Sequence, residues 1–192
     1  MRTASGVQHA GRVRTVSGVQ HVGRVRTASG VQHAGRVRTV KENPMFEGTV
    51  VSINITPVAE GPLQSVEEVR AIPGRGLEGD RYFDHPKKEP RRELTLVEAE
   101  AIEAFRSEFQ IDFGLDGTRR NVVTRGVPLN QLVGKEFWIG EVKARGLQLC
   151  EPCATLQRLS HPKVLPGLVH RAGLRAQILT EGTIRVGETI KE

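Results

Sequence analysis

A mainly β domain of barrel type with added helix is the fold class the sequence predicts, and three observations predict it. Short runs rich in β-branched residues recur between Gly and Pro punctuation every eight to twelve residues. Sustained helical periodicity occurs in a single long stretch. Strands do not alternate with helices as βαβ units would require.

The elements are legible in order from Met45. The run FEGTVVSINIT (46–56) alternates and is rich in Val, Ile and Thr, so it reads as a strand that Pro57 ends. SVEEVRAI (65–72) reads as a second, shorter strand, and PGRGLEGDRYF (73–83), with three Gly and one Pro, reads as a loop. TLVEAEAIEAFRSEF (95–109) predicts a helix: Thr95 and Glu98 have capping-box spacing, and Val97, Ala101, Ile102, Phe105 and Phe109 share one face. Beyond it RRNVVTRG, KEFWIG, EVKARGLQL, LRAQIL and TIRVGETI predict short strands, and ATLQRL (154–159) predicts a short helix beginning near Cys153.

The chain has 192 residues and a formal net charge of +6, a balance that by itself would suggest a nucleic-acid partner. Its distribution argues otherwise. Residues 1–44 hold eight Lys or Arg and one Glu, which leaves 20 bases and 21 acids, net −1, for residues 45–192. The basic head is a twelve-residue repeat: RTASGVQHAGRV (2–13), RTVSGVQHVGRV (14–25) and RTASGVQHAGRV (26–37). Units this short and Gly-rich bury almost nothing. Repeated Gly undermines an amphipathic transit helix, the absence of aromatic residues undermines an arm that stacks on bases, and the repeat's three His could bind metal only at a heavy cost in ordering entropy. The expectation is a disordered tail over residues 1–44, or an upstream stretch translated in error with Met45 as the natural start. Residues 45–192 then form one domain, large enough to bury its own core. No secretory signal pattern and no apolar run near ~18 residues is visible. The expected setting is therefore the cytoplasm, with neither membrane nor nucleic acid as partner.

The chain's two cysteines, Cys150 and Cys153, lie in LQLCEPCATLQRL. A thioredoxin-like redox pair would want βαβ alternation, which is lacking. A structural zinc site needs four ligands, and C-x2-C-x7-H-x8-H with His161 and His170 fits no usual spacing. Two small buried hydrophobes remain an open reading. Polar residues in Gly-punctuated loops or at strand starts offer more: Asp80 and Arg81 in LEGDR, Arg119, Arg120 and Asn121 in TRRNVV, and His170, Arg171 and Arg175 in HRAGLRA. Each alone is more often a solvated surface charge than a ligand. Together with a thiol they would suit a phosphorylated anion carrying a soft metal.

From about Phe46 onward the chain resembles the MOSC family, named for the C-terminal domain of the molybdenum cofactor sulfurase. The resemblance is carried, in order, by GLEGDR, ELTLVEAEAIEAF, TRRNVV, LNQLVGKEFWIG, the Cys of EPC, HRAGLRAQIL and a final IRVGETI. It implies a closed β-barrel with added α-helices and binding of the molybdenum cofactor (molybdopterin). It also implies that Cys153 is the thiolate ligating molybdenum, with Cys150 a bystander. Arg119 and Asn121 correspond to the family's R-x-N element, and Arg120, Asp80, Arg81, His170 and Arg175 complete the implied cofactor-binding set. Ala172 departs from the pattern, standing where small relatives often have Gly. The family's pyridoxal phosphate belongs to a separate domain of the sulfurase, so no pyridoxal site is expected here.

Three functions follow from this resemblance. The first is a molybdenum-dependent reductase of N-hydroxylated substrates, fed with electrons by a separate protein. The second is a sulfur carrier holding a Cys153 persulfide received from a sulfur-donor protein. The third is a β-barrel interaction module without chemistry.

Overall fold

The structure is a computed structural model that describes residues 45–192, and the expectation for the repeat over residues 1–44 lies outside the described residues. The strands are β1 (Glu47–Ile55), β2 (Gln64–Val66), β3 (Glu68–Ile72), β4 (Gly76–Leu77), β5 (Leu94–Glu98), β6 (Val122–Arg125), β7 (Glu136–Ile139), β8 (Val142–Leu149), β9 (Leu174–Ile178), β10 (Gly182–Arg185) and β11 (Thr189–Lys191). The helices are α1 (Ala99–Phe109), α2 (Ala154–Leu159) and α3 (Val164–Gly167).

Seven strands close on themselves in the order β11-β7-β8-β9-β5-β6-β1, and the seam is made where Glu47, Gly48 and Thr49 pair with Lys191, Ile190 and Thr189. The expected closed β-barrel with added helices is thus the fold, and closure leaves no free edge along the seam. All neighbours are antiparallel except β5 and β6, which run parallel and are joined by a crossover that contains α1.

The crossover explains why β5 and β6 are apolar on both faces. Leu94, Leu96 and Val122 point into the barrel with Ile53, Phe137, Ile139 and Leu174. Val97 and Val123 point the other way, into a second cluster formed with Ile102 and Phe105 of α1, Phe113, Leu156 and Leu168. Successive strand residues therefore serve two cores, as the period of two requires.

Three sequence expectations are corrected. SVEEVRAI is two strands, not one: it breaks at Glu67, so that β2 pairs with β1 while β3 pairs with β10 in a separate three-stranded sheet. Thr95 and Glu98 form no capping box, because Leu94–Glu98 is strand β5 and the helix starts only at Ala99, with no side-chain cap from Glu98. Leu94 and Leu96 are fully buried in the barrel, and that burial outweighs the local capping signal. TIRVGETI is likewise two strands, β10 and β11, turned at Gly187 with φ of 84°. The short helix ATLQRL is α2, with the expected bounds.

Candidate cofactor site

Asp80 organises one end of the barrel. It follows Gly79, whose φ of 81° turns the chain after β4, and its carboxylate is buried and fully engaged. Oδ2 accepts from the Thr56 N–H at 3.0 Å and from Asn121 Nδ2 at 3.3 Å, and Oδ1 accepts from the Tyr82 N–H at 3.1 Å. The Arg81 N–H donates to the Thr56 carbonyl at 2.9 Å, so the chain leaves this turn with Arg81 and Tyr82 set beside the end of β1.

Asn121 ties that turn to β5 and β1. Its Oδ1 accepts from the Thr95 N–H at 3.1 Å and from Thr95 Oγ1 at 2.7 Å, and its Nδ2 also donates to the Asn54 carbonyl at 3.3 Å. Both ends of the amide are thus spent on the framework. Thr95 faces Arg175 across the β5–β9 ladder, which puts the start of β9 beside the same network.

Around this frame the arginines gather. Asp80, Arg81, Tyr82, Arg92 and Thr95 line a cleft together with Arg119, Arg120, Asn121 and Arg175. Five guanidiniums and a single carboxylate, Asp80, line it; Asp80 is already hydrogen-bonded internally, and of the arginines Arg92 is paired with Glu89, Nε to Oε2 at 3.0 Å. Arg119 sits in the left-handed region at φ 57° and donates from Nη2 to the Gly61 carbonyl at 2.6 Å. Arg120 donates from Nε to the Ala172 carbonyl at 2.8 Å and from Nη2 to the Cys150 carbonyl at 2.9 Å. Ala172, the departure noted in the sequence, is buried and contributes its carbonyl to this anchor. The next residue, Gly173, has no such latitude: a Cβ there would stand 2.0 Å from the Leu96 carbonyl oxygen.

Burial lowers the pKa of both Arg119 and Arg120, with further repulsion from Arg81 on the first and from Arg175 on the second. Clustered, partly desolvated cations of this kind are relieved by an anion, and planar guanidiniums grip phosphate through paired hydrogen bonds.

Three lining residues, Tyr82, Arg92 and Thr95, are not among the site residues expected from the sequence. Arg92 lies in EPRREL, which has the composition of a solvated charge run, yet its guanidinium lies 5.4 Å from the Tyr82 ring centroid while Arg81 lies 4.5 Å from it. Thr95 has capping-box spacing with Glu98, whereas its network partner, Asn121, lies 26 residues away in the chain.

The cysteines separate cleanly. Both are free; Cys150 is buried, with its N–H donating to the Gly173 carbonyl at 2.7 Å, and Cys153 is exposed. Cys153 is the extended residue preceding α2, and its carbonyl accepts from the Gln157 N–H at 2.9 Å. It does not line the arginine cleft, but both cysteines lie near enough to act on the Arg120 charge. His170 stands apart from the cleft lining: it is exposed, its backbone N–H donates to Glu151 Oε2 at 2.9 Å, and its Nδ1 meets Glu151 Oε1 at 2.7 Å.

Among the described residues no three His, Cys, Asp or Glu side chains converge to hold a metal ion. One exposed thiol beside an anion-seeking cleft suits a metal that arrives with an anionic organic ligand of its own.

The MOSC domain family profile matches residues 84–191, more than half of the chain. The chain belongs to the MOSC domain family. Among solved structures this MOSC domain resembles the YuaD protein of Bacillus subtilis, with a TM-score of 0.66 at 15% identity over 77% of this chain and 97% of that one. YiiM of Geobacillus stearothermophilus gives 0.57 at 15% identity over 76% and 75%. YiiM of Escherichia coli gives 0.55 at 21% identity over 77% and 69%. No curated protein sequence matches this MOSC chain. At these identities the structural likeness speaks to the fold. No helix among the described residues is long and apolar enough to cross a membrane.

Proposed function

We propose that this MOSC domain binds the molybdenum cofactor, with its phosphate in the arginine cleft and the Cys153 thiolate as ligand to molybdenum. The observation that carries the reading is a cleft lined by five arginines, of which only Arg92 has an ion-pair partner, and by one internally spent carboxylate, with an exposed thiol nearby. When bound, the cofactor supplies two-electron oxygen-atom chemistry. The chain supplies the rest. Arg119, Arg120, Arg175 and Arg81 hold the phosphate, with Arg92 and Tyr82 extending the wall. Asp80 and Asn121 keep these elements in place, since their polar atoms are committed to the frame. Arg120 links the two halves of the site, because it is hydrogen-bonded to Cys150 and lies near Cys153. His170 serves through Glu151, at the edge of the 150–153 segment. The activity is reduction of an N-hydroxylated substrate in the cytoplasm, with electrons from a separate protein.

The exposure of Cys153 supports a second reading, a persulfide carrier, because a transferred sulfur must be reachable by both donor and acceptor. The test is metal and sulfur analysis of the full chain made in a host that synthesises the cofactor. Molybdenum that is lost in Cys153→Ser supports the first reading. Persulfide sulfur on Cys153 without molybdenum supports the second. Neither would leave a barrel interaction module.

A further inference from the structure

Two arginines flank β4, and each stacks on an aromatic ring. Arg75 Cζ lies over the Phe83 ring, 4.5 Å from its centroid, and the guanidinium is spent on Asp84, with Nε donating to Oδ1 at 2.6 Å and Nη2 to Oδ2. Arg81 Cζ lies over the Tyr82 ring, also 4.5 Å from its centroid, but no carboxylate closes on it.

This sets Arg81 apart within the cleft. Arg119 donates to the Gly61 carbonyl, Arg120 to those of Ala172 and Cys150, Arg175 to that of Arg91, and Arg92 to the Glu89 carboxylate. The Arg81 guanidinium has no hydrogen-bond acceptor among the described residues. A hydrogen bond that fixes a guanidinium uses up part of its fork. A ring holds it by the face and leaves the N–H donors free.

The ring itself is anchored. The Tyr82 N–H donates to Asp80 Oδ1 at 3.1 Å, its carbonyl accepts from the His85 N–H at 3.2 Å, and its ring meets the His85 ring with centroids 5.8 Å apart. The Arg81 N–H is fixed as well, to the Thr56 carbonyl at 2.9 Å. Arg92 lies over the same ring at 5.4 Å, but its bond to Glu89 holds it independently. The Tyr82 hydroxyl has no hydrogen-bond partner among the described residues, so its ring face is the part in use.

We propose that Tyr82 is a positioning residue: it aims the Arg81 guanidinium so that the unspent fork grips two oxygens of a phosphate in the cleft. The place that Asp84 fills for Arg75 is filled for Arg81 by the ligand. This role rests on the reading of the cleft as a phosphate site.

The test uses the full chain, with inorganic phosphate as the probe and NMR titration as the readout. Arg81→Ala should weaken phosphate binding by about tenfold or more. Tyr82→Leu should weaken it by about fivefold, and Tyr82→Phe, which keeps the ring face, should stay within about twofold of the natural protein. In the Arg81→Ala background Tyr82→Leu should change affinity by less than about twofold, because the ring acts through that arginine. Arg75→Ala, outside the cleft, should leave phosphate affinity unchanged. Losses that multiply in the double variant, or a Tyr82→Phe as weak as Tyr82→Leu, would overturn the proposal. Should Tyr82→Leu fail to fold, the natural chain supplies a second measurement: the Arg81 δ-methylene protons should be shifted upfield by the ring, and unshifted protons overturn the proposal as well. A natural chain that binds no phosphate sinks the cleft reading together with this one. Phosphate bound without coupling between Tyr82 and Arg81 sinks the Tyr82 role alone. Coupled phosphate binding by a chain that retains no molybdenum upholds that role at an anion site and sinks the cofactor reading.

Discussion

Thr95 and Asn121 hold each other through a reciprocal pair of hydrogen bonds. Thr95 Oγ1 donates to Asn121 Oδ1 at 2.7 Å, and the Asn121 N–H donates back to the same Oγ1 at 3.0 Å. Through Asn121 Nδ2 the pair reaches Asp80, and through Asp80 the backbone of Thr56 and Tyr82. Thr95→Val keeps the shape but strands the Asn121 N–H. It should cost about 1–3 kcal/mol, the scale of an unsatisfied part-buried donor. Thr95→Ser should recover most of that. Urea unfolding of the two variants checks this, and a loss in Thr95→Ser with none in Thr95→Val would assign the effect to packing of the Thr95 methyl group.

A slightly acidic domain that binds a phosphorylated ligand must concentrate its cations, and the cleft does so. Arg119→Ala should weaken cofactor binding by about 1.5–3 kcal/mol, the scale of a hydrogen bond to a charged group. It should also lower stability by about 0.5–1.5 kcal/mol, because the bond to the Gly61 carbonyl goes with it. Arg125 is the control: it is exposed and paired with Glu103. Arg125→Ala should leave affinity unchanged and stability within about 1 kcal/mol. Cofactor affinity and unfolding midpoint measured on both proteins would show whether Arg119 belongs to the site or to the fold alone.

Most of the barrel was legible because its strands carry the pattern of their burial. In β1, Val50 and Ile53 are buried and Glu47 and Thr49 exposed, and Gly punctuates the later strands. What misled was local similarity. Thr95 and Glu98 have capping-box spacing, but their polar atoms are claimed from far away, Thr95 by Asn121 and Glu98 by the Leu129 N–H at 2.8 Å. No window of a few residues contains those partners. The break at Glu67 was invisible for a related reason: nothing there is a turn residue, and the split arises because β2 and β3 answer to different sheets. In the site, Asp80, Arg81, Arg119, Arg120, Asn121 and Arg175 do line one cleft. Sequence gave them no distinction between framework and wall, since an amide that holds a loop and one that faces a ligand look alike until their partners are known. Arg92 was missed because charge next to Pro90 and Glu93 reads as surface.

The two thiols should differ sharply in reactivity. In the native full chain one cysteine should react promptly with a thiol reagent, and mass mapping should place the label on Cys153, which is exposed. Cys150, 1% exposed, should react only on unfolding. Cys150→Ser should cost about 1–3 kcal/mol for a hydroxyl left in an apolar setting, while Cys153→Ser should leave stability unchanged and remove molybdenum or persulfide. Equal damage to retention from both substitutions would mean that the thiols act as a pair.

The last prediction concerns Glu93, a buried carboxylate outside the cleft. Burial raises its pKa above the ordinary glutamate value, and hydrogen bonds from the N–H groups of Ile178, at 3.0 Å, and Gly74 offset only part of that shift. The native state therefore holds this proton more tightly than the unfolded chain does. As pH rises from the unfolded value, ~4.3, through the higher native value, the unfolded state ionises first and the stability contributed by Glu93 falls. Glu93→Gln cannot ionise. It loses hydrogen-bond geometry at every pH but escapes the ionisation penalty. The advantage of the natural protein over Glu93→Gln should thus be largest near pH 4 and shrink toward pH 7. Exposed carboxylates such as Glu103 and Glu108, whose pKa values are lowered chiefly by hydrogen bonds from Arg125 and Arg171, shift both proteins alike and cancel in the difference. Urea midpoints of the two proteins at pH 4, 5.5 and 7 give the slope. A difference that widened with pH would mean that the Glu93 carboxylate is stabilised in its charged form, and that its two backbone donors outweigh its burial.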